Sequence, residues 1–275
     1  PWVSGGAAAI ALLSRGGSSG AAAATPVSPV VADLVVHGHI MLGPLVAGTD
    51  LQVTAYDAAG NKLPSSTGNP VTVTPNGTGG FDYAITITGG YRGVVTVRLS
   101  NPGGNLDYVS EFTATQVNLG TGALLGSDNV PTSENEWIIN ITQATDLAAR
   151  KVLDATTIDD SAKAPVVKAT EAQVTDANIA VTDALVPSEA GKSLPITQLL
   201  PKSTIKTDGT SSGDTSDYAL LLHSMDVITH SQPTTDTTPL QTTQQQLFQL
   251  LEWPNTTNVY KTAVLPVPSL VDTSS

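Results

Sequence analysis

The serine string of a nucleophile elbow, Gly-x-Ser-x-Gly, occurs twice in this chain, at residues 16–20 and 209–213. An elbow needs a strand before the serine and a helix after it, so that the hydroxyl sits on a strained turn. Both copies lie instead in stretches rich in Gly, Ser and Thr, which are typical of linkers and loops. The chain has only four histidines, so a Ser–His–Asp arrangement has few candidates for its base. We therefore predict no catalytic residue and no enzyme activity.

The histidines fall into two pairs whose spacing could place two imidazoles on one face. His37 and His39 lie in a strand-like run, and His223 and His230 lie in a helix-like run. Two histidines on one strand face could be part of a metal site, but the spacing places no carboxylate beside either pair. We expect packing or surface roles for all four. The absence of cysteine excludes disulfides, thiolate metal sites and Fe–S clusters.

Three carboxylates lie close together in the sequence between residues 207 and 217. They are Asp208, Asp214 and Asp217, and the residues between them are mostly Gly, Ser and Thr. Calcium favours clustered carboxylate, carbonyl and hydroxyl oxygens, but the spacing of an EF-hand is absent. The stretch is a weak calcium candidate, and a solvated loop is the interpretation we favour. The sequence has no phosphate-binding loop or dinucleotide-binding fingerprint, so we expect no cofactor.

The elements that would position these residues begin with short strands between residues 33 and 118. Alternation with a period of two places Val36, Gly38 and Ile40 on one face, and further strand-like runs follow it. Turns rich in Gly, Pro and Asn separate the runs. About six or seven such strands predict an antiparallel β-sandwich, in which each strand buries one face.

From residue 119 the spacing of the apolar residues becomes nearly helical, and Thr142 could cap the first helix. Helices are predicted over 141–153, 171–185, 217–229 and 241–253. The connections are rich in Pro and Thr. We expect a mainly helical domain over residues 119–265 and a C-terminal tail over 266–275. The predicted fold class is therefore α+β, with the β-sandwich first.

Residues 1–32 form a tail with a single charged side chain, Arg15. A small apolar group in this tail includes Ala7, Ile10, Leu12 and Leu13. Such a segment buries too little apolar surface to offset the entropy that it loses when it is ordered. Any order must come from a partner, and we expect another copy of the same chain. These four residues are the predicted assembly residues, and a tether or a retained secretory signal are the alternatives.

The overall composition excludes several classes of partner. The formal net charge is −12 at pH 7, which argues against nucleic acid and against anionic membrane surfaces. No apolar run has the length of a membrane-spanning helix. Aromatic residues make up only 4% of the chain and charged residues only 13%, a balance typical of an extracytoplasmic, β-rich protein. We therefore expect an extracellular or cell-surface location.

Two parts of the chain resemble known bacterial families. Leu12-Leu13-Ser14, followed by a Gly- and Ser-rich run, resembles a lipoprotein signal with its tether, although Arg15 stands where that family has the lipidated Cys. The runs VHGHI (36–40), VTAYD (53–57) and GYRG (90–93) resemble the Ig-like, carboxypeptidase-regulatory-like β-sandwich of bacterial surface proteins. That resemblance implies a stalk, scaffold or binding module without catalysis.

Two functions remain open on the sequence alone. The favoured one is a non-enzymatic extracellular structural protein, a subunit of a filament or other surface polymer. Its tail would insert into a neighbouring copy by strand addition or into a groove. The alternative is a monomeric, tethered cell-surface module that binds a carbohydrate or a protein.

Overall fold

The computed structural model describes residues 32–44, 51–76, 79–102, 107–118, 123–158, 163–232 and 239–250, all within the unit of residues 31–275. Over these residues the fold is mixed α+β, with two four-stranded sheets, a small hairpin and five helices. At this level the predicted fold class is confirmed. The predicted assembly residues Ala7, Ile10, Leu12 and Leu13 lie outside the described residues, as does the predicted C-terminal tail.

The first sheet has the strand order β10-β1-β5-β4. Its strands are β1 (Leu34–Ile40), β4 (Thr74–Pro75), β5 (Phe81–Ile87) and β10 (Glu136–Ile138). β1 pairs antiparallel with β5 and parallel with β10, so among the described strands the last lies beside the first. Burial alternates along β1 with Leu34, Val36 and Ile40 facing inward, as the period of two predicted.

The second sheet has the strand order β3-β2-β6-β9. Its strands are β2 (Gln52–Tyr56), β3 (Val71–Thr72), β6 (Gly93–Ser100) and β9 (Leu124–Val130). Inward side chains of both sheets form one hydrophobic cluster. The expected boundary at residue 118 falls inside the sheet region, because β9 and β10 complete the two sheets. Alternation did not indicate β9, since the strand buries Ser127 and Asp128 along with its apolar residues.

Residues 108–119, one of the strand-like runs of the sequence, form a hairpin in the structure. Its strands are β7 (Asp107–Val109) and β8 (Gln116–Asn118), which pair antiparallel. The Val109 N–H donates to the Pro44 carbonyl, so the hairpin is held to the end of the first sheet.

The helices are α1 (Gln143–Val152), α2 (Ala155–Ile158), α3 (Glu171–Leu185), α4 (Asp217–His230) and α5 (Pro239–Leu250). The four long ones are those predicted, with ends that agree within a few residues where the chain is described, and the short α2 was not predicted. Thr142 caps α1 as expected, and Thr145 completes a capping box. None of the described helices is both long and apolar enough to span a membrane.

α1 and α3 cover the second sheet. Val94 and Leu125 of this sheet share a hydrophobic cluster with Val152 of α1 and Val174 of α3. A further cluster joins α1, α3 and α4 to one another. The outward side of β6 and β9 is therefore an interior surface, whereas outward residues of β1 remain half-exposed.

Two glycines, one in each sheet, make room for the chain to pass between the two sheets after β10. A Cβ atom on Gly38 would collide with the carbonyl oxygen of Ile139, and one on Gly126 would lie 2.8 Å from Ile139 Cγ2. Ile139 can pass between β1 and β9 because neither neighbour has a side chain at that point. This path leads the chain from β10 directly into α1.

Candidate functional site

β10 forms one edge of the first sheet, and only one of its two sides is paired. The Val35 N–H donates to the Asn135 carbonyl, and the Ile139 N–H donates to the His37 carbonyl. Backbone groups of successive strand residues point to opposite sides, so those of Glu136 and Ile138 face away from β1. Within the described part of the chain, these N–H and C=O groups have no hydrogen-bond partner.

β10 is held in place from its inward side. Trp137 packs against the core shared by the two sheets, and its Nε1 donates to Asp128 Oδ2 at 3.2 Å. The Tyr83 hydroxyl of β5 donates to the carbonyl of Ile139 at 2.5 Å. Burial raises the pKa of Tyr83 well above its usual value, so this hydroxyl keeps its proton and remains a donor. These contacts fix the strand without using its outer side.

Asn140 closes the edge beyond Ile138. Its N–H donates to the carbonyl of Thr197 at 2.8 Å, and its Nδ2 donates to the carbonyl of Leu199 at 2.8 Å. Both acceptors belong to the segment around the 3-10 turn Ile196–Gln198. The unpaired stretch is therefore short and ends at a defined residue.

One exposed apolar side chain lies on this strand, and another follows the segment that closes its end. Ile138 is 38% exposed, and Leu200, which directly follows the segment bonded to Asn140, is 56% exposed. Glu136 lies on the same strand face as Ile138, and its side chain is 72% exposed. The exposed side chains and unpaired backbone groups of Glu136 and Ile138 are together named the β10 edge.

The histidine pair of β1 lies on the outward face of the first sheet. His37 Nε2 is 3.1 Å from Glu136 Oε1 of β10, and His39 Nδ1 is 2.6 Å from Asp82 Oδ1 of β5. The rings therefore contact carboxylates on opposite neighbouring strands. Sequence spacing missed both carboxylates because they come from distant parts of the chain. Across the described ranges, no three His, Asp or Glu side chains form a group that could hold a metal ion.

The three aspartates of the weak calcium candidate each accept hydrogen bonds from local partners. The structure does not bring them together as one group of metal ligands. The N–H donors are those of Thr210 for Asp208, Ser216 for Asp214 and Ser188 for Asp217. The bonds from Thr210 and Ser216 lower the pKa values of Asp208 and Asp214. The arrangement is that of hydrogen-bonded surface turns.

The second Gly-x-Ser-x-Gly string does not form a nucleophile elbow. Ser211 pairs with Ile205 in a short bridge, and its Oγ accepts from the Gly213 N–H at 3.1 Å. α4 begins only at Asp217, so no helix directly follows this serine. The first string, at residues 16–20, lies outside the described residues.

The histidine pair of α4 faces two buried carboxylates. His223 Nδ1 is 3.9 Å from Glu111 Oε2, and His230 Nδ1 is 3.2 Å from Asp226 Oδ1. Asp226 also accepts from the Phe112 N–H at 3.0 Å, which ties the hairpin to α4. Burial raises the pKa of Glu111, because an ionised carboxylate loses solvation in this position. This cluster anchors the turn that carries Phe112.

The outer side of β9 is closed by side chains of α1 and α3. Asp146 Oδ1 accepts from the Leu125 N–H at 2.9 Å, and Thr145 Oγ1 donates to the Leu125 carbonyl at 3.2 Å. Asn178 Nδ2 donates to the Ser127 carbonyl at 2.8 Å. Sequence reasoning missed these contacts, because polar residues on an amphipathic helix are normally assigned to its solvent face.

Further buried charges join the same elements. Arg150 Nε donates to Asp146 Oδ2 at 2.7 Å, and both side chains are almost fully buried. Asp128 of β9 accepts from Thr197 Oγ1 at 2.7 Å as well as from Trp137. Burial raises the pKa of Asp128, while these hydrogen bonds oppose the rise. Asp128 thus connects β9, β10 and the 3-10 turn.

Comparison with protein-family models, with curated proteins and with solved structures finds no match for this chain. Among the surfaces described above, the β10 edge is the one that combines unpaired backbone groups, an exposed apolar side chain and an exposed charge.

Proposed function

We propose that this protein is a non-enzymatic extracellular structural protein, a subunit of a filament or other surface polymer. The N-terminal tail of one copy adds to the sheet of the next. The observation that carries the proposal is the β10 edge, where Glu136 and Ile138 offer backbone groups that have no partner in the described residues. Strand addition needs such an edge and draws its affinity from main-chain hydrogen bonds.

In this proposal the two sheets form an Ig-like β-sandwich, and the helices form a second region that packs on one side of it. Residues 1–32 are the assembly arm. The described chain begins only two residues before β1, and β1 is the direct neighbour of β10. The arm therefore leaves the fold one strand away from an edge of the kind that would receive the arm of another copy.

The roles of the buried polar groups support a non-catalytic protein. Asp146 and Asp226 accept hydrogen bonds from backbone N–H groups of other elements, and Arg150 neutralises Asp146. Carboxylates used in this way stabilise the packing of helices on the sheet and the hairpin, because each satisfies a donor that would otherwise be buried without an acceptor.

The test compares the full chain with a variant that lacks residues 1–31, by size-exclusion chromatography with light scattering and by electron microscopy. We expect regular particles from the full chain and monomers from the truncated one. Ile10→Asp with Leu12→Asp should act like the truncation, because two charges would enter an apolar contact. The matched control is Ser18→Asp with Ser19→Asp, which adds the same charge outside the apolar group and should still polymerise.

The proposal fails if the truncated chain polymerises like the full one. A uniform 28.2 kDa species from the full chain would instead support the alternative, a monomeric tethered module for a carbohydrate or protein ligand. Phe112 favours that second candidate, because its side chain is 55% exposed on a turn fixed by Asp226. An exposed aromatic residue on a fixed turn is a typical contact residue, and in that case Phe112→Ala should abolish ligand binding.

A further inference from the structure

β10 is the most accessible edge of the two four-stranded sheets that the structure describes. β3 and β4 have two residues each, and β4 includes Pro75, which has no N–H to donate. β9 is longer, but Asp146 and Asn178 already bond its outward backbone groups. β10 presents an N–H and a C=O at each of two residues, Glu136 and Ile138.

We infer that residues 13–15 of a neighbouring copy add to β10 in the antiparallel direction, with Leu13 opposite Ile138 and Arg15 opposite Glu136. This inference rests on the proposed function and names the acceptor for its assembly arm.

The spacing of the available backbone groups sets the length of the contact. In an antiparallel pair, every second residue exchanges both of its hydrogen bonds with the residue opposite. Glu136 and Ile138 are two residues apart, and so are Leu13 and Arg15. The pairing cannot extend past Ile138, because the Asn140 N–H already donates to the Thr197 carbonyl. A short donor segment is therefore sufficient.

The charges set the direction. Arg15 is the one charged side chain among residues 1–32, and the Glu136 carboxylate is largely exposed. Opposite charges directly across two strands attract each other. In the parallel direction, with Leu13 again opposite Ile138, Arg15 would lie opposite the closed position of Asn140 and would lose its carboxylate. Only the antiparallel register places Leu13 opposite Ile138 and Arg15 opposite Glu136 at the same time.

The same register gives an apolar neighbour to Leu13, and it sets the direction of Leu12 just before the donor segment. Leu13 lies on the outward face with Ile138, which is 38% exposed and has apolar surface left to bury. Leu12 points to the opposite face, on the side of Trp137, which packs against the shared core. The chain carries a net charge of −12, so copies repel each other at long range. The attraction between Arg15 of the arm and the exposed Glu136 carboxylate offsets part of that repulsion.

The experiment is a charge swap, read out as the concentration above which particles form. Arg15→Glu and Glu136→Arg should each raise this concentration roughly 2- to 30-fold, because each replaces an attractive pair with a repulsive one. The chain that carries both changes should polymerise near the wild-type concentration. Glu189→Arg makes the same change of charge away from the edge and should have no effect. Thermal unfolding of every variant checks that its fold is intact.

The outcomes separate this inference from the function on which it rests. If the swaps do not alter polymerisation while removal of residues 1–31 gives monomers, the acceptor lies elsewhere and the proposed function stands. If both single changes weaken polymerisation but the double change does not restore it, the register is wrong. If the truncated chain still polymerises, the proposed function fails, and the acceptor assignment fails with it.

Discussion

The outer edges of β9 and β10 differ in the hydrogen bonding of their backbone groups. On β9, side chains from two helices bond the outward backbone of Leu125 and Ser127, and the acid among them is balanced by a buried Arg150. On β10, the outward backbone of Glu136 and Ile138 has no partner in the described residues. An unpaired edge invites association, so stable proteins usually cover it. The contrast indicates that β9 is closed within one copy, whereas β10 is the edge that the proposed assembly would use.

The two edges are nevertheless parts of one framework. Asp128 belongs to β9, and its carboxylate accepts from Trp137 of β10 and from Thr197 of the turn that closes the β10 edge. The two edges are therefore joined by direct hydrogen bonds, and variants at each can be compared within one connected set of elements.

The largest expected loss of stability comes from removing Asp146, the carboxylate that bonds the outer edge of β9. Asp146→Ala should lower the free energy of unfolding by about 3–5 kcal/mol, because Arg150 would remain buried without its partner. Chemical denaturation measures the change. Glu189→Ala removes one partner of an exposed ion pair with Lys192 and should cost about 0–1 kcal/mol. Equal effects of the two changes would contradict the role given to the β9 edge.

A smaller loss is expected from the other side chain that closes β9 from a helix. Asn178→Ala should cost about 1–3 kcal/mol, because the Ser127 carbonyl loses its donor in a buried position. Thr175→Ala, on the same helix, removes only an exposed bond to the carbonyl of Glu171 and should leave stability nearly unchanged. Chemical denaturation of both variants tests this: the midpoint of Asn178→Ala should lie clearly below that of Thr175→Ala. Polymerisation should be unaltered in both variants.

Glu111 belongs to neither edge and should affect stability alone. Its pKa is raised by burial, so its favourable contribution is complete below the pKa of the unfolded chain and is lost as pH rises through the higher pKa of the folded chain. In Glu111→Gln the stability should not fall in this way. The variant should therefore gain in free energy of unfolding relative to the wild type as pH rises from the unfolded-state pKa of Glu111 to its folded-state pKa. Denaturation at a series of pH values tests the direction. The His223 ring, 3.9 Å from Glu111 Oε2, lowers the pKa of Glu111 and so opposes part of the rise that burial causes.

The smallest effect on stability is expected at β10. Ile138→Thr keeps a β-branched residue on the strand and should change the free energy of unfolding by no more than about 0.5 kcal/mol, because the side chain is partly exposed. Polymerisation should weaken in the same variant, since Leu13 would lose its apolar neighbour. A large loss of stability would show that Ile138 is used inside one copy and would weaken the contrast between the edges.

The sequence predicted the elements whose pattern is local. The alternation of Val36 and Ile40 identified β1, and the periodicity with Thr142 as a cap identified α1. β9 and β10 were missed because their pattern depends on distant partners. Ser127 and Asp128 are buried by bonds to α3 and to the 3-10 turn, and Trp137 by the core, which no local period reveals.

The candidate site was predictable only in part. The sequence indicated a tail in need of a partner and a sandwich able to offer an edge, because apolar content and turn residues are visible in it. It could not indicate which edge is open. That property depends on where Asp146 and Asn178 come to lie against one strand, and on the turn at Thr197 that ends the other.

The parallel return of β10 beside β1 determines how this protein would respond to tension. A pull on the chain before Leu34 acts on the start of β1, and a pull on the chain just beyond Ile141 acts on the far end of β10. Because the strands run in the same direction, these forces slide them past each other along their length. The bonds from Val35 to Asn135, from Ile139 to His37 and from Ile141 to His39 are then strained together, not one after another as in peeling. A polymer of such subunits would resist shear through the slow unfolding of each copy.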